Sequence, residues 1–127
     1  MTEDERVVVL RRAYELFNDR RVDELLALMA VDVQWPDVAN SSVLRDKDAI
    51  RSYWQAQFEV AHPVVEPERF MSAGQDVVAV VNQRVTDHAG AVIVPAHVVY
   101  HRYTFDAEGL VRGMTVSTSE PGDARSL

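Results

Sequence analysis

Two neighbouring stretches decide the fold, Asp32-Val-Gln-Trp-Pro-Asp37 and Asp46-Lys-Asp-Ala-Ile-Arg-Ser-Tyr-Trp54. The first reads as a short strand, over residues 31–35, that stops at Pro36. The second reads as the start of a helix with Asp46 as its N-cap. Asp37 lies between a strand end and a helix start, and a carboxylate in that position is expected to face a pocket rather than bulk water.

The elements around these stretches follow from hydrophobic periodicity and turn residues. Helical spacing predicts an amphipathic helix over residues 4–20, a shorter one over 22–29 and a third that ends before Pro63. Everything after that reads as strand, over roughly 67–73, 76–86, 92–105 and 110–119, joined by turn sequences that suit antiparallel hairpins. Three helices followed by a meander predict an α+β fold, with the helices packed on the concave face of a curved antiparallel sheet.

The third strand of that meander carries two histidines, in Ala96-His-Val-Val-Tyr-His-Arg-Tyr-Thr-Phe105. His97 and His101 are four residues apart and therefore on one face of the strand, about 13 Å from each other. At that separation they cannot share a metal ion, and we expect neither a metal site nor a cofactor. The pattern instead predicts a polar site within an apolar shell.

Composition excludes several classes of protein. The chain has 127 residues, 47% of them apolar, a formal charge of −7 and no cysteine. It is long enough for one core without disulfides, and its excess of acid disfavours nucleic acid as a partner. With an acidic start and no long apolar run, the chain is expected to be soluble and cytoplasmic, without a membrane partner. We expect a single domain over residues 1–120 and a flexible C-terminal tail over 121–127.

The strands are more apolar than a sheet with one solvated face requires. Three helices can cover one face, and the other would leave an apolar patch of a size that monomers rarely expose. We therefore expect a homodimer through the outer sheet face. The contact is expected at residues that alternate with the inward-facing set, namely Val78, Val80, Val94, Val98 and Tyr100. Pro95 is expected to mark a bulge or an edge.

At this point the sequence resembles a known group. The order helix, helix, strand, helix and meander resembles the nuclear transport factor 2-like superfamily, in its SnoaL-like or ketosteroid isomerase-like branch, over residues 5 to about 119. The stretches that carry the resemblance are Tyr14-Glu-Leu-Phe-Asn18, Asp23-Glu-Leu-Leu-Ala-Leu-Met29, the block from Asp32 to Trp54, and Phe105-Asp-Ala-Glu-Gly-Leu-Val111. The resemblance implies a cone with an internal pocket, and many members dimerise. The same fold occurs in isomerases, cyclases, dehydratases, epoxide hydrolases and non-catalytic domains, so the resemblance does not determine the function.

The resemblance also implies roles for particular residues. Asp37 falls where the isomerases keep a general-base aspartate, and His101 where they place a protonated aspartate that donates to a developing oxyanion. A histidine can make the same donation. The second donor of those enzymes, a tyrosine on the first helix, falls on Ala13, and Tyr14 is expected to point about 100° away around the helix.

Each candidate residue has a plainer interpretation beside the functional one. Asp37 could simply cap backbone N–H groups of the loop after Pro36, and His101 could be a core histidine with its hydrogen bonds satisfied. An aromatic and thioether set could line a pocket for a flat apolar ligand or could be ordinary core. The residues of that set are Tyr14, Trp35, Trp54, Tyr103, Phe105 and Met114. Gln83 would orient a ligand or be an exposed residue on a frayed strand end, and His97 is a further candidate for ligand binding.

Two functions remain open from the sequence. The first is a small enzyme of isomerase, cyclase or dehydratase type, in which Asp37 is general base or acid and His101 the hydrogen-bond donor. Its ligand would be a small apolar or cyclic organic molecule. The second is a non-catalytic ligand-binding or dimerisation domain of the same fold.

Overall fold

The computed structural model describes residues 1–127, which form three helices and seven strands. The helices are α1 (Glu3–Asn18), α2 (Val22–Leu26) and α3 (Lys47–Val60). The strands are β1 (Met29–Asp37), β2 (Ser42–Leu44), β3 (His62–Ala73), β4 (Asp76–Thr86), β5 (Val92–Phe105), β6 (Val111–Ser117) and β7 (Arg125–Ser126).

Side-chain caps explain where the two long helices begin. Thr2 and Glu5 form a reciprocal capping box at the start of α1. The Asp46 carboxylate accepts from the Ala49 backbone N–H at 2.7 Å, which confirms it as the N-cap of α3. No helix combines the length and the apolar character needed to cross a membrane.

The seven strands form one sheet in the order β2-β1-β6-β5-β4-β3-β7. Neighbours are antiparallel except β1 and β6, which run parallel. The helices pack on the inner face of this curved sheet, chiefly α1 on β3. One cluster of 19 buried residues joins them, and Trp54 of α3 and Leu10 of α1 are among its largest members. The α+β prediction is confirmed.

Bulges bend the long strands. Opposite the step from Gln83 to Val85, β5 moves from His97 to Val94, so β5 carries one extra residue there. Pro95 lies in this bulge, which confirms the expectation for it. A bulge adds local bend and twist to the strand.

Three predicted boundaries were wrong. Pro36 does not end β1, which continues to Asp37. Strand β1 pairs with β6 only as far as Gln34. The missing backbone N–H of Pro36 therefore affects hydrogen bonding to β2 and not to β6. Strand β3 begins at His62 rather than near 67, because its two prolines are accommodated in a long hairpin with β4. Helix α2 ends at Leu26, and Met29 opens β1.

The outer face of the sheet differs from expectation in its details. Val78 and Val80 were placed at a subunit contact, but they are buried within the chain in a small cluster with Met71 and Ala73. Ala124 of the C-terminal segment packs on this cluster, and β7 pairs with β3. The end of the chain therefore makes more contacts than its polar sequence suggested.

Val94 is also displaced from its expected face. The bulge sets it opposite Val85, a residue that lines the internal cavity, so the alternation that assigned Val94 to the outer face is reversed. Of the five residues expected at a contact, Val98 and Tyr100 keep an outer position and some exposure.

Candidate ligand-binding site

The space between the helices and the inner face of the sheet contains a cavity of about 490 Å³. Nineteen of its 26 lining residues are hydrophobic. This volume and this character are those of small-molecule sites, which combine apolar walls with a few polar groups. The polar groups therefore decide what the cavity can do.

Three polar side chains are linked in the cavity wall. The Tyr103 hydroxyl donates to the Tyr14 oxygen at 2.7 Å, and the Tyr14 oxygen lies 2.8 Å from His101 Nδ1. All three residues line the cavity, and all three are buried. Strand β5 supplies His101 and Tyr103 from one face, and α1 supplies Tyr14 across the core.

The direction of these hydrogen bonds fixes the tautomer of His101. The Tyr14 hydroxyl accepts from Tyr103, and Nδ1 is the acceptor within reach of its own proton. Tyr14 therefore donates to Nδ1, and the neutral imidazole carries its proton on Nε2. No protein group accepts from Nε2, so the network offers the cavity one N–H donor.

Burial keeps this network uncharged near neutral pH. Desolvation lowers the pKa of His101 from 6.5 to about 4, so the imidazole is neutral at pH 7. The same burial raises the pKa of Tyr14 and of Tyr103 well above the ordinary value, so both phenols keep their protons. The result is a neutral hydrogen-bond donor in an apolar wall.

Tyr14 was a candidate for the pocket lining, and its helical angle was expected to turn it about 100° away from Ala13. Ala13 and Tyr14 both line the cavity. The apolar stripe of a core-facing helix is wide enough to include two consecutive positions. The Tyr14 side chain is long enough for its hydroxyl to reach His101 Nδ1.

The remaining aromatic candidates divide into two groups. Trp35, Trp54 and Met114 line the cavity with Tyr14 and Tyr103. The Trp35 and Trp54 rings meet edge to face with their centroids 5.4 Å apart. Phe105 does not line the cavity. It packs against the main core and lies beneath the Arg6 guanidinium, so its core interpretation holds.

Asp37 is buried but its oxygens are engaged. One carboxylate oxygen accepts from the Asn40 side chain at 2.8 Å, and the other accepts from the Asn40 backbone N–H at 3.3 Å. Asp37 is not among the residues that line the cavity, although Pro36 and Val38 on either side of it are. The structure thus shows the capping arrangement that was the plainer interpretation.

Asp37 nevertheless lies at the edge of the cavity. Asp37 is two residues after Trp35 on β1, so the two side chains lie on the same face of the strand, and Trp35 lines the cavity. Tyr53 of α3 also lines it, and its pKa is raised by burial and then by the nearby negative charge of Asp37.

Gln83 and His97 lie near each other on the inner face of the sheet. Gln83 lines the cavity, whereas His97 is exposed and does not. The two residues are paired across β4 and β5, with the Gln83 Nε2 atom 3.4 Å from His97 Nε2. Four residues along β5 separate this pair from His101, which puts it at the opposite end of the cavity wall.

Sequence reasoning missed two residues of this region, Asn40 and Tyr53. Asn40 follows Asp37 at the spacing of a side-chain-stabilised turn, a signal that the sequence did contain. Tyr53 lies in the predicted third helix, and nothing in the sequence connects it to Asp37. Only the path of the β1–β2 hairpin brings the two residues together.

A second depression of about 600 Å³ lies along α2 and α3. It is open to solvent, and most of its lining residues are charged or polar. Several of these charges are already paired, as in Arg21 with Glu24 and Asp23 with Arg51. The cavity around His101 is the better candidate because its lining is mostly apolar and its histidine–tyrosine network is buried.

A curved sheet that holds helices and an apolar cavity on its inner face defines a class of small pocket-forming α+β domains. The chain belongs to the family of the SnoaL-like domain, whose model matches residues 10–114. Among curated proteins, none matches the chain in sequence.

Three solved structures illustrate the likeness of fold. The epoxide hydrolase/cyclase-like enzyme SalBIII, of pyran ring formation in the polyether salinomycin, is 18% identical, with 98% of each chain covered and a TM-score of 0.73. The Δ5-3-ketosteroid isomerase from Mycobacterium sp. is 18% identical over 87% of this chain and 97% of its own, with a TM-score of 0.71.

The third is the protein Rv0760c of Mycobacterium tuberculosis in complex with estradiol-17β-hemisuccinate. It is 16% identical over 94% of this chain and 96% of its own, with a TM-score of 0.74. The TM-scores establish a shared fold, and at these identities the likeness shows the fold alone.

Proposed function

We propose that this protein binds a small apolar cyclic ligand in the cavity and transforms it as an isomerase, cyclase or dehydratase. The observation that carries the proposal is the neutral Tyr103–Tyr14–His101 chain, which presents one N–H to a mostly apolar cavity. Its ligand would carry an acceptor oxygen, such as a ring ketone or an epoxide, at that point.

In the proposed reaction, His101 donates Nε2–H to the ligand oxygen on which negative charge develops. A preorganised donor in a dry wall stabilises such charge more than water does. A neutral imidazole suits this role, because its Nε2–H donates a hydrogen bond without placing a positive charge in the apolar wall. Tyr14 and Tyr103 hold its orientation through Nδ1.

Asp37 is proposed as the group that moves the proton to or from carbon. A carboxylate held out of bulk water can do this if it comes within hydrogen-bond reach of the ligand. Asp37 is 7% exposed and lies beside Tyr53 at the cavity edge, which supports the role. Its bonds to Asn40 would have to loosen when the ligand enters.

The related structures support the choice of ligand class. SalBIII is described in ring formation, the mycobacterial isomerase acts on ketosteroids, and Rv0760c holds a steroid derivative. Those properties belong to those proteins. They come to this chain as a proposal because it shares their fold and its own cavity has mostly apolar walls and a polar network.

A screen of cyclic ketones and epoxides tests the proposal. Wild type and Asp37→Asn are compared for turnover, with thermal shift recorded in parallel. We expect some compounds to stabilise both proteins and to be transformed by wild type alone. Compounds that stabilise both equally and remain unchanged with both would reject catalysis.

The alternative is a ligand-binding or dimerisation domain without catalysis. One observation favours it, since both Asp37 oxygens already accept hydrogen bonds from Asn40. In that case the cavity would hold its ligand through His101 alone, and Asp37 would only shape the β1–β2 turn.

We further propose a cytoplasmic homodimer that forms through the part of the outer sheet face the C-terminal segment leaves open. Val98 is 41% exposed there, next to the half-buried Tyr100. Val98→Glu should dissociate the dimer in sedimentation experiments, because a charge at an apolar contact loses its hydration. Val8→Glu, on the exposed side of α1, is the control and should leave assembly unchanged. A monomeric wild type at high micromolar concentration would contradict the dimer.

A further inference from the structure

The cavity has a second polar position, at the opposite end from His101. His97 Nδ1 lies 2.9 Å from the Pro95 carbonyl, which can only accept, so Nδ1 carries a proton. In a neutral imidazole Nε2 is then an acceptor. Gln83 Nε2 lies 3.4 Å from it and donates.

This chain of contacts sets the orientation of the Gln83 amide. If the amide were turned over, its oxygen would face the lone pair of His97 Nε2, which is unfavourable. The Gln83 Oε1 atom is therefore directed away from His97, and no protein group donates to it. Since Gln83 lines the cavity, its wall offers an unused acceptor there.

The two polar positions lie at a defined spacing along the sheet. Ala79 is opposite His101 and Gln83 is opposite His97, so the positions are four residues apart on both strands. Four strand residues span about 13 Å. The wall between them is apolar, with Val81 and Val99 at the intervening inward positions.

We propose that the ligand is a rigid, elongated polycyclic ketone with a hydroxyl at the end remote from the ketone, and that this hydroxyl donates to Gln83 Oε1. His97 is a positioning residue, because it acts by holding the amide of Gln83. This inference rests on the proposed function, since it assigns the ketone end to His101. The bulge at Pro95 builds the position, because it aims the Pro95 carbonyl at His97.

Two steroids that differ at one end provide the test. Testosterone has a ring ketone and a remote hydroxyl, and androstenedione has a ketone in place of that hydroxyl. Wild type should bind testosterone about fivefold more tightly, which is what one hydrogen bond of about 1 kcal/mol supplies. Gln83→Leu should abolish the preference, and Gln83→Glu, which keeps an acceptor, should retain it.

His97→Ala separates positioning from packing. Without His97 the amide can turn its N–H toward a ketone, so the preference should fall while affinity for the two steroids becomes similar. A variant that loses thermal stability but keeps the fivefold preference would show that His97 does not position Gln83. Equal binding of both steroids by wild type would overturn the assignment of Gln83.

A short single-ring ketone, cyclohexanone, distinguishes the two levels of the proposal. It should bind to wild type and Gln83→Leu alike, because it cannot reach Gln83. If cyclohexanone binds and neither steroid does, the length assignment is wrong and the proposed function stands. If none of the three binds, both are wrong.

Discussion

Asp37 and His101 are, tyrosine aside, the two polar or charged side chains that this fold buries, and each is 7% exposed. Their partners differ. His101 is held through one nitrogen by Tyr14 and keeps a donor free at the other. Asp37 has both oxygens occupied by Asn40.

The difference shows that burial alone does not make a polar group functional. A buried group needs partners to offset its desolvation, and a catalytic group also needs unused capacity directed at the ligand. His101 meets both conditions in the structure as it stands. Asp37 meets the first and would meet the second once a ligand displaces Asn40.

The substitution Asp37→Asn is the most direct test of the difference between Asp37 and His101. If Asp37 is the proton-transfer group, turnover should fall about 10²- to 10⁴-fold, the range for general acid–base catalysis. Stability should fall by no more than about 1 kcal/mol, because an amide nearly preserves the shape and keeps one of the two acceptors. The measurement is turnover of a ligand found in the screen, with Asp32→Asn, an exposed partner of Arg112, as the matched control. Unchanged turnover would leave His101 as the only functional member of the pair.

The charge state of His101 gives the next largest effect. Its pKa is about 4 in the folded protein and 6.5 without burial. Between these values the unfolded chain binds more protons, so the free energy of unfolding rises with pH. The contribution of roughly 3 kcal/mol is complete above pH 6.5 and is lost as the pH falls toward 4.

Urea unfolding at pH 4.5, 5.5 and 7 measures this effect. His101→Gln removes the titrating group, so its stability should vary less with pH than that of wild type over the same window. His88→Gln, at an exposed position, should follow wild type. Identical pH dependence in wild type and His101→Gln would mean that the folded protein protonates His101 freely.

Much of the fold and part of the site could be predicted from the sequence. The hydrophobic pattern predicted the long strands, and the glycine and aspartate residues between them predicted the turns. Asp46 predicted the start of α3 because aspartate is a good N-cap. The Tyr14–His101 contact was missed because helical angle alone does not say how far a long side chain reaches. The Asp37–Asn40 and Gln83–His97 pairs depend on a hairpin path and on a bulge, both of which are set by tertiary pairing.

Removing the hydroxyl of Tyr14 tests the His101 side of the comparison. Tyr14→Phe leaves His101 Nδ1 and the Tyr103 hydroxyl without partners in a buried setting. We expect a loss of about 2 kcal/mol in the free energy of unfolding, together with weaker binding of ring ketones. Tyr100→Phe removes a hydroxyl on the outer face and should do neither. Unchanged stability in Tyr14→Phe would show that the network does not hold His101.

The smallest expected effect belongs to Asn40→Ala, and it tests the Asp37 side. The substitution removes the side-chain donor to Asp37 and leaves the weaker 3.3 Å backbone bond in place. Stability should fall by about 1 kcal/mol, the value of one hydrogen bond. If Asn40 competes with the ligand for Asp37, turnover should rise at the same time, because the carboxylate is released toward the cavity. If Asn40 instead aims Asp37 at the ligand, turnover should fall.

Asn82→Ala on β4, measured in parallel by chemical denaturation and by turnover, gives the baseline for losing an amide elsewhere. A variant that loses stability with no change in turnover would assign Asp37 to the β1–β2 turn and leave the chemistry of the cavity to His101.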